Sequence, residues 1–454
     1  MYPRLFAYVR LISTWSSRYV SDIDPLPTRY GGKRNVTVLP GSGVGPELMD
    51  CTLQILKAAG APLSYETVTL SSVNGSDEEF QNVLTSIRRN RVAIKVKNFF
   101  LNLYEIVQMS LDTYVLLQGN IEIQSKNPYV SSRNILLRKT LDLFVYILPC
   151  KTYRGLENKF GDIDITVIRQ NTEGEYLMLE HEPTPGSVES LKIVTRYNSE
   201  RIAEFAFNYA VKYNRKQITV VHNADIQVLT EGVFVNAALS MSKRFPKIKV
   251  NVLEVSGAVV KLSRNPKLFD IILATNLNGS MISNYIIGML GGAGLTSGVN
   301  CSDTDIAVFE PGSRSKGSSL VGKGIANPVP MILAGVSNSH PSNRTVKKDT
   351  QNHSFDYSDC TFQINLLNYL GYHRTAVIIE NSVFATLEVD KIRTQDIGGT
   401  ATSQEVTDRV ISHIRTYFKS RSVRKSDEKP SNRWKTYCDA PAKTFSEEEI
   451  PPKQ

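Results

Sequence analysis

The sequence of 454 residues is poor in cysteine and contains no internal repeat. Its cysteines stand far apart and form no C-x-x-C pair; they are Cys51, Cys150, Cys301, Cys360 and Cys438. This spacing argues against a disulfide framework or a zinc knuckle, and it is typical of a reducing compartment. Hydrophobic residues at 41% and charged residues at 21% exclude a disordered, collagen-like or coiled-coil chain.

Acidic residues are absent from the first 21 positions, and the first carboxylate of the chain is that of Asp22. Arg4, Arg10 and Arg18 stand there among serines and large apolar residues, a composition typical of a mitochondrial transit peptide. The apolar runs in this stretch are too short to span a membrane. We therefore expect residues 1–29 to be a transit peptide and linker and the protein to lie in the mitochondrial matrix; a disordered N-terminus is the alternative.

The other end of the chain lacks apolar periodicity from about residue 419 and carries nine basic and six acidic side chains. This composition predicts a disordered basic tail over residues 417–454. The formal net charge of the whole chain is +9. A basic presequence and a basic tail are sufficient sources of this excess, so we expect neither nucleic acid nor a membrane as a partner.

Between these ends, short apolar runs alternate with longer segments of helical period. Such alternation predicts an α/β protein with a largely buried sheet. The helical segment 199–213 places Ile202, Phe205, Ala206 and Tyr209 on one face. The predicted strands are 36–40, 164–169, 217–222, 248–255, 269–275 and 305–310, and a second helix is predicted over 229–244.

The segment 41–47 reads GSGVGPE and follows the first of these strands. Pro46 favours the first turn of a helix at this point. The glycine spacing is not that of a dinucleotide-binding loop, and no Walker lysine is present. On its own this segment is a weak indication of a ligand site.

Two further segments carry polar side chains suited to a carboxylate. Ser132, Asn134 and Arg138 are separated by two, four and six positions. On a helix or tight turn, this spacing brings a hydroxyl, an amide and a guanidinium to the mouth of one site. A solvated helix start is the alternative. Arg169 and Tyr176 lie at the carboxyl end of a predicted strand, where ligands gather in open α/β folds. Tyr176 is either a general acid or a packed aromatic residue with a bonded hydroxyl.

Many longer stretches resemble the β-decarboxylating dehydrogenases, the family of isocitrate and isopropylmalate dehydrogenases. Within that family the resemblance is strongest to the non-catalytic γ/β-type subunits of mitochondrial NAD-dependent isocitrate dehydrogenase. It implies an α/β fold of the isocitrate/isopropylmalate dehydrogenase type, with a large discontinuous domain from residues 30–150 and 305–416 and a smaller middle domain, 151–304, that carries the dimer contact. The matching stretches include NVTVLPGSGVGPELM, IRQNTEGEYLMLEHE, VESLKIVTR, VVHNADIQVLTEGVF, ATNLNGSMISN, GKGIANP and RTQDIGGTATSQEV.

The resemblance implies a carboxylate site for the isocitrate class of ligand. The matching positions are Ser132, Asn134, Arg138, Arg169 and Tyr176. Another family arginine is replaced by Leu148. We therefore expect the site to hold a tricarboxylate differently from a catalytic site.

The chain departs from the family at the positions that carry the chemistry. The family's metal-binding aspartates are replaced by Ser256, Ser280 and Asn284, and the family's proton-transferring lysine by Asn223. Hard divalent cations need such carboxylates, and an amide neither gives nor takes a proton at neutral pH. The resemblance therefore implies no catalytic residue, no metal site and no cofactor bound for catalysis in this chain, although Tyr176 is retained.

For nucleotides, the family's NAD-binding histidine motif is replaced by a stretch that contains Arg314, whereas Asn327, whose family counterpart contacts adenine, is retained. Arg314 is either a contact for a nucleotide phosphate or part of a solvated loop. We expect citrate and an adenine nucleotide as effectors, with NAD and Mg²⁺ or Mn²⁺ held by the partner subunit.

Two segments, 96–118 and 336–363, have no counterpart in the family, and removing each closes the register without a gap. Each begins with Val and ends with Gln, which the GT and AG ends of an intron can encode. We predict that both are retained introns in a translated gene; genuine surface insertions are the alternative.

The resemblance, with these departures from it, implies a regulatory, non-catalytic subunit of mitochondrial NAD-dependent isocitrate dehydrogenase, paired with a catalytic subunit in a hetero-oligomer. The alternative is a structural or inhibitory pseudo-subunit that contributes nothing to catalysis. An active dehydrogenase built from this chain alone is disfavoured by Asn223, Ser280 and Asn284.

Overall fold

A computed structural model describes residues 32–41, 43–69, 77–95, 133–152, 156, 158–292, 295–312, 320–335 and 366–427. The predicted transit peptide, both predicted intron segments, Ser132 and Arg314 lie outside these residues, so the expectations for them stay predictions.

Twelve strands and eleven helices make up the described part of the chain. The strands are β1 (Arg34–Leu39), β2 (Leu63–Thr67), β3 (Val92–Lys95), β4 (Val145–Lys151), β5 (Asp164–Gln170), β6 (Glu180–Thr184), β7 (Ser187–Ser190), β8 (Gln217–His222), β9 (Lys249–Glu254), β10 (Ile271–Ala274), β11 (Ser297–Cys301) and β12 (Ala307–Pro311). The helices are α1 (Gly45–Ala58), α2 (Asp77–Asn90), α3 (Arg133–Thr140), α4 (Arg196–Lys212), α5 (Val228–Ser242), α6 (Val255–Arg264), α7 (Asn276–Met289), α8 (Val329–Gly335), α9 (Leu366–Tyr369), α10 (His373–Phe384) and α11 (Ser403–Asp427).

Ten of the strands form one mixed sheet in the order β2-β1-β3-β12-β11-β4-β5-β10-β8-β9. Strand β11 runs antiparallel to β12 and to β4, and β4 also runs antiparallel to β5. The other neighbouring pairs in this sheet are parallel. Strands from the two distant halves of the predicted large domain meet here, because β3 pairs with β12. The sheet continues from them into the strands of the predicted middle domain, and the division into two domains stays a prediction.

All six strands predicted from the sequence are present, with ends displaced by at most two residues. Helix α4 buries Ile202, Ala206 and Tyr209 and half-buries Phe205, as its apolar spacing predicts. Helix α1 begins at Gly45 with Pro46 in its first turn. The turn before it uses Gly41 and Gly43 at positive φ, a conformation that favours glycine.

Helix α11 extends to Asp427, past residue 417, where the sequence predicts the tail to begin. The stretch is rich in Arg and Lys, which are good helix formers, and the first Pro after it is Pro430. Charge alone therefore does not end the helix.

Asp390 follows a π-helical turn, Ala385–Val389, and ties it to α11. Arg409 donates two hydrogen bonds to the Asp390 carboxylate, at 2.7 and 2.8 Å, and His413 lies 2.5 Å from it. These contacts, led by the bonds from Arg409, lower the pKa of Asp390 to about 2.

We expect Asp390→Asn to reduce stability at neutral pH and to have little effect in strong acid. The carboxyl pKa is about 3.9 in an unfolded chain. Since the folded value is lower, the stabilisation is present above that value and is lost as the pH falls through the folded pKa. Urea unfolding between neutral and acidic pH measures the difference, with the exposed Glu388→Gln as control. A loss of stability that is independent of pH would contradict this account.

Candidate functional site

The register of the sheet brings several polar side chains to one face. In the strand register, Tyr146 of β4 lies opposite Arg169 of β5 on one side and opposite Asn300 of β11 on the other. Asn300 is paired with Val308 and Val308 with Ala93, so Glu310 and Lys95, two residues further along their strands, lie on that same face. Residues more than 200 positions apart in the chain are thereby gathered at one site.

Arg169 is buried near the end of β5. Its guanidinium lies 4.7 Å from the centre of the Tyr146 ring, and its Nη2 donates to Asn171 Oδ1 at 3.2 Å. The aliphatic part of the side chain lies against Gly279, where a Cβ atom would come within 2.6 Å of Arg169 Cγ. Glycine at this position therefore makes room for the arginine.

Arg138 and Asn134 lie on α3 and are both buried. A chain of hydrogen bonds joins Arg138 to Arg169: Leu143 N–H donates to Arg138 O at 2.8 Å, Asn171 Nδ2 donates to Leu143 O at 3.1 Å, and Arg169 donates to Asn171. The backbone of Arg138 and the guanidinium of Arg169 are thus connected through one local framework. We call Asn134, Arg138, Arg169 and Tyr176 the arginine cluster.

A buried ion pair that the sequence analysis missed adjoins this cluster. Lys95 Nζ donates to Asn134 Oδ1 at 2.8 Å and lies 3.3 Å from Glu310 Oε2, with both charged side chains almost fully buried. Burial, and after it repulsion from Arg138, lower the pKa of Lys95, while Glu310 opposes the shift. The available signal was a charged residue at the end of each of two apolar strands, VAIK and AVFE.

Tyr176 lies in a single 3₁₀ turn, Gly174–Leu177, and reaches helix α7. Its hydroxyl donates to Ser280 Oγ at 3.1 Å. Ser280 is buried and directly follows Gly279, against which Arg169 lies. The phenol is therefore bonded to one of the serines that stand where the family has a metal-binding aspartate, and it is not a packed aromatic alone.

Asn284 and Ser256, the other two residues that replace family aspartates, are both exposed, unlike Ser280. Asn284 is exposed one turn further along α7. Ser256 is exposed at the start of α6, where its hydroxyl is hydrogen-bonded to Glu254. Within the described ranges there is no group of three or more His, Cys, Asp or Glu side chains that could hold a metal ion. The residues present at the family positions therefore do not fit a divalent metal.

Asn223 follows β8 and lies beside a second buried network. Its backbone N–H donates to Glu231 Oε2 at 3.3 Å. The fully buried Glu231 also accepts hydrogen bonds from Thr275 and Lys192, and Lys192 pairs in turn with Glu175 at 2.9 Å. Lys192 is thus paired with two carboxylates, one of them on Glu175, the neighbour of Tyr176 in the sequence.

Asn327 is half-buried, and its side-chain amide is already engaged. Its Nδ2 donates to Asp396 Oδ2 at 2.9 Å, and its Oδ1 accepts from Val329 N–H at 2.9 Å. Leu148, at the position of the missing family arginine, is fully buried in the apolar core. Neither side chain adds a cation to Arg138 and Arg169.

Comparison with known proteins places these observations in a family. The family model described as isocitrate/isopropylmalate dehydrogenase matches residues 35–338. The human isocitrate dehydrogenase [NAD] subunit gamma, mitochondrial, is 36% identical over 392 residues, which are 86% of this chain and 86% of the relative. Subunit 1 of the Saccharomyces cerevisiae enzyme is 33% identical over 86% of this chain and 94% of its own length.

Solved structures show the same fold. The isocitrate dehydrogenase of Methylococcus capsulatus superposes with a TM-score of 0.67 at 27% identity, over 84% of this chain and 99% of that one. The TT0538 protein of Thermus thermophilus gives 0.70 at 27% identity, over 86% of this chain and 69% of that one. The predicted fold is confirmed. The relatives are mitochondrial, which confirms the predicted mitochondrial location. Among the described residues no helix has the length and apolarity to cross a membrane.

Proposed function

The chain belongs to the isocitrate/isopropylmalate dehydrogenase family, and from this premise we propose that it is a regulatory, non-catalytic subunit of mitochondrial NAD-dependent isocitrate dehydrogenase. It assembles in the matrix with a catalytic subunit, which converts isocitrate to 2-oxoglutarate. The observation that carries the proposal is the hydrogen bond between Tyr176 and Ser280, because it joins two neutral hydroxyls where the family chemistry needs a metal-binding carboxylate.

Oxidation and decarboxylation of isocitrate require a cation that polarises the developing carbonyl and enolate oxygens, and groups that move protons. Ser256, Ser280 and Asn284 supply no negative charge for such a cation, and the side-chain amide of Asn223 cannot transfer a proton. NAD and Mg²⁺ or Mn²⁺ therefore belong to the partner subunit in this proposal.

The arginine cluster has kept what recognition of carboxylates needs. Arg138 and Arg169 are both buried, and the Arg169 guanidinium is held by Asn171 and the Tyr146 ring, so this guanidinium is already ordered before a ligand binds. Planar guanidiniums bind carboxylates through two parallel hydrogen bonds. We propose that citrate binds here as an effector, together with Ser132, and that an adenine nucleotide binds near Arg314 and Asn327.

A structural or inhibitory pseudo-subunit is the second candidate, and Asn223 and Ser256 favour it. In the family, a lysine and an aspartate at these positions reach across the dimer interface into the partner's active site. This chain has an amide and a hydroxyl there, and the hydroxyl is bonded to Glu254. The chain would then hold the partner in the complex without completing its active site.

Turnover measurements on reconstituted protein test the proposal. We expect the full chain alone to reduce no NAD with isocitrate, and its complex with a catalytic subunit to do so with a response to citrate. Asn223→Lys/Ser256→Asp should raise the turnover of the complex about tenfold or more if these positions face the partner's site, since positioned proton transfer contributes at least that much.

The matched control adds the same two charges at the far end of α6, as Asn265→Lys/Ser263→Asp, and should leave turnover unchanged. NAD reduction by the chain alone would contradict the non-catalytic role. A complex that shows turnover but no response to citrate would favour the structural pseudo-subunit.

A further inference from the structure

We propose that the arginine cluster binds its polycarboxylate ligand as the free anion, without a divalent cation, and that Mg²⁺ opposes binding by chelating the ligand. The proposal rests on the proposed function, because it takes the cluster to be an effector site. The question is which form of the ligand binds. From the resemblance to metal-dependent dehydrogenases, one would expect a metal chelate.

The first argument is the charge at the positions where family members hold a metal. Ser280 is buried and neutral, and its hydroxyl accepts the hydrogen bond of Tyr176 at 3.1 Å. Asn284, one turn further along α7, is exposed and likewise neutral. A cation carried in by the ligand would gain no carboxylate from these two side chains, yet it would have to give up part of its water shell.

The second argument is the position of Arg169. Its aliphatic carbons lie against Gly279, so its positive charge is held beside the residue that precedes Ser280. A fixed guanidinium in a buried setting repels a divalent cation and attracts a carboxylate. Because Ser280 has no charge to offset this repulsion, the arginine favours the free anion over its chelate.

The third argument is the charge of the two forms of the ligand. Citrate is a trianion at neutral pH, and its Mg²⁺ chelate is a monoanion. Arg138 and Arg169 interact more strongly with the form that carries more negative charge. With no carboxylate at Ser280 or Asn284 to compensate for the lost attraction, the chelate is the weaker ligand.

Calorimetric titration of citrate into the purified full chain tests this, in EDTA and in excess MgCl₂ at matched ionic strength. We expect binding in EDTA. In MgCl₂ the total citrate needed for half-saturation should rise by at least about fivefold, because mass action leaves less of it free. Binding only in MgCl₂ would overturn the inference and leave the effector site standing. Binding in neither buffer would overturn the effector site itself.

Two variants of Ser280 distinguish a changed preference for the metal chelate from a general loss of citrate binding. Ser280→Asp restores a carboxylate, and Ser280→Asn has the same size without the charge. We expect the Asp variant to lose about tenfold in affinity in EDTA and to regain affinity on addition of Mg²⁺, whereas the Asn variant stays inhibited by Mg²⁺. Identical behaviour of the two variants would contradict the inference, and their thermal unfolding shows whether both are folded.

Discussion

Replacing Arg169 by Gln is expected to weaken citrate binding to the full chain by about 100-fold, which corresponds to about 2.7 kcal/mol. The guanidinium is buried and fixed by Asn171, the Tyr146 ring and the surface left open by Gly279. A preorganised two-donor contact with a carboxylate is worth about this much, and Gln cannot replace the charge. Titration calorimetry in EDTA measures the loss.

Two control variants make the Arg169 result specific. Arg169→Lys keeps the charge but not the planar fork, so we expect an intermediate loss of about tenfold. Arg215 is also mostly buried, but it is paired with Asp164 and Asp270, so Arg215→Gln should leave citrate binding unchanged in the folded protein. An Arg169→Gln variant that is folded and binds citrate as the natural chain does would contradict the assignment of the site.

The second large effect is expected on the stability of the fold, from the loss of the buried ion pair between Lys95 and Glu310. Lys95→Met should lower the free energy of unfolding by about 3–5 kcal/mol, because it removes the positive charge of Lys95 from beside the buried Glu310 carboxylate. The loss should shrink as the pH falls, since protonation removes the charge of Glu310. Urea unfolding at neutral and mildly acidic pH measures both effects.

A double variant tests the cause of this loss. Lys95→Met/Glu310→Gln removes both charges and should recover most of the stability, since replacing a buried ion pair by neutral groups is often close to neutral. If the double variant is as unstable as Lys95→Met, the cost comes from lost packing and not from the isolated carboxylate. The ion-pair interpretation would then be wrong.

Local patterns in the sequence were sufficient to locate the strands and to place Arg169 near the end of one of them. Apolar runs of four to seven residues located β5, β8 and β12, and the polar residue at the end of β5 could be recognised because the carboxyl ends of strands bind ligands. The helix around Arg138 could also be anticipated from spacing. These features depend on neighbours within a few positions.

The contacts on which the proposals rest depend instead on the long-range pairing of strands. Lys95 and Glu310 meet only because β3 pairs with β12, across a separation of more than 200 residues. Tyr176 meets Ser280 because β5 and β10 are adjacent, so the turn after one reaches the helix after the other. A charged residue that ends an apolar run gives no sign of its partner, and for this reason the buried pair was missed.

The central claim is that the chain acts as a subunit of an isocitrate dehydrogenase, and isolation from its source tests this most directly. The tagged full chain would be purified from mitochondria and its partners identified by mass spectrometry, with a mock purification as control. The account predicts a catalytic isocitrate dehydrogenase subunit in stoichiometric amount. Recovery of the chain without any such subunit would contradict it.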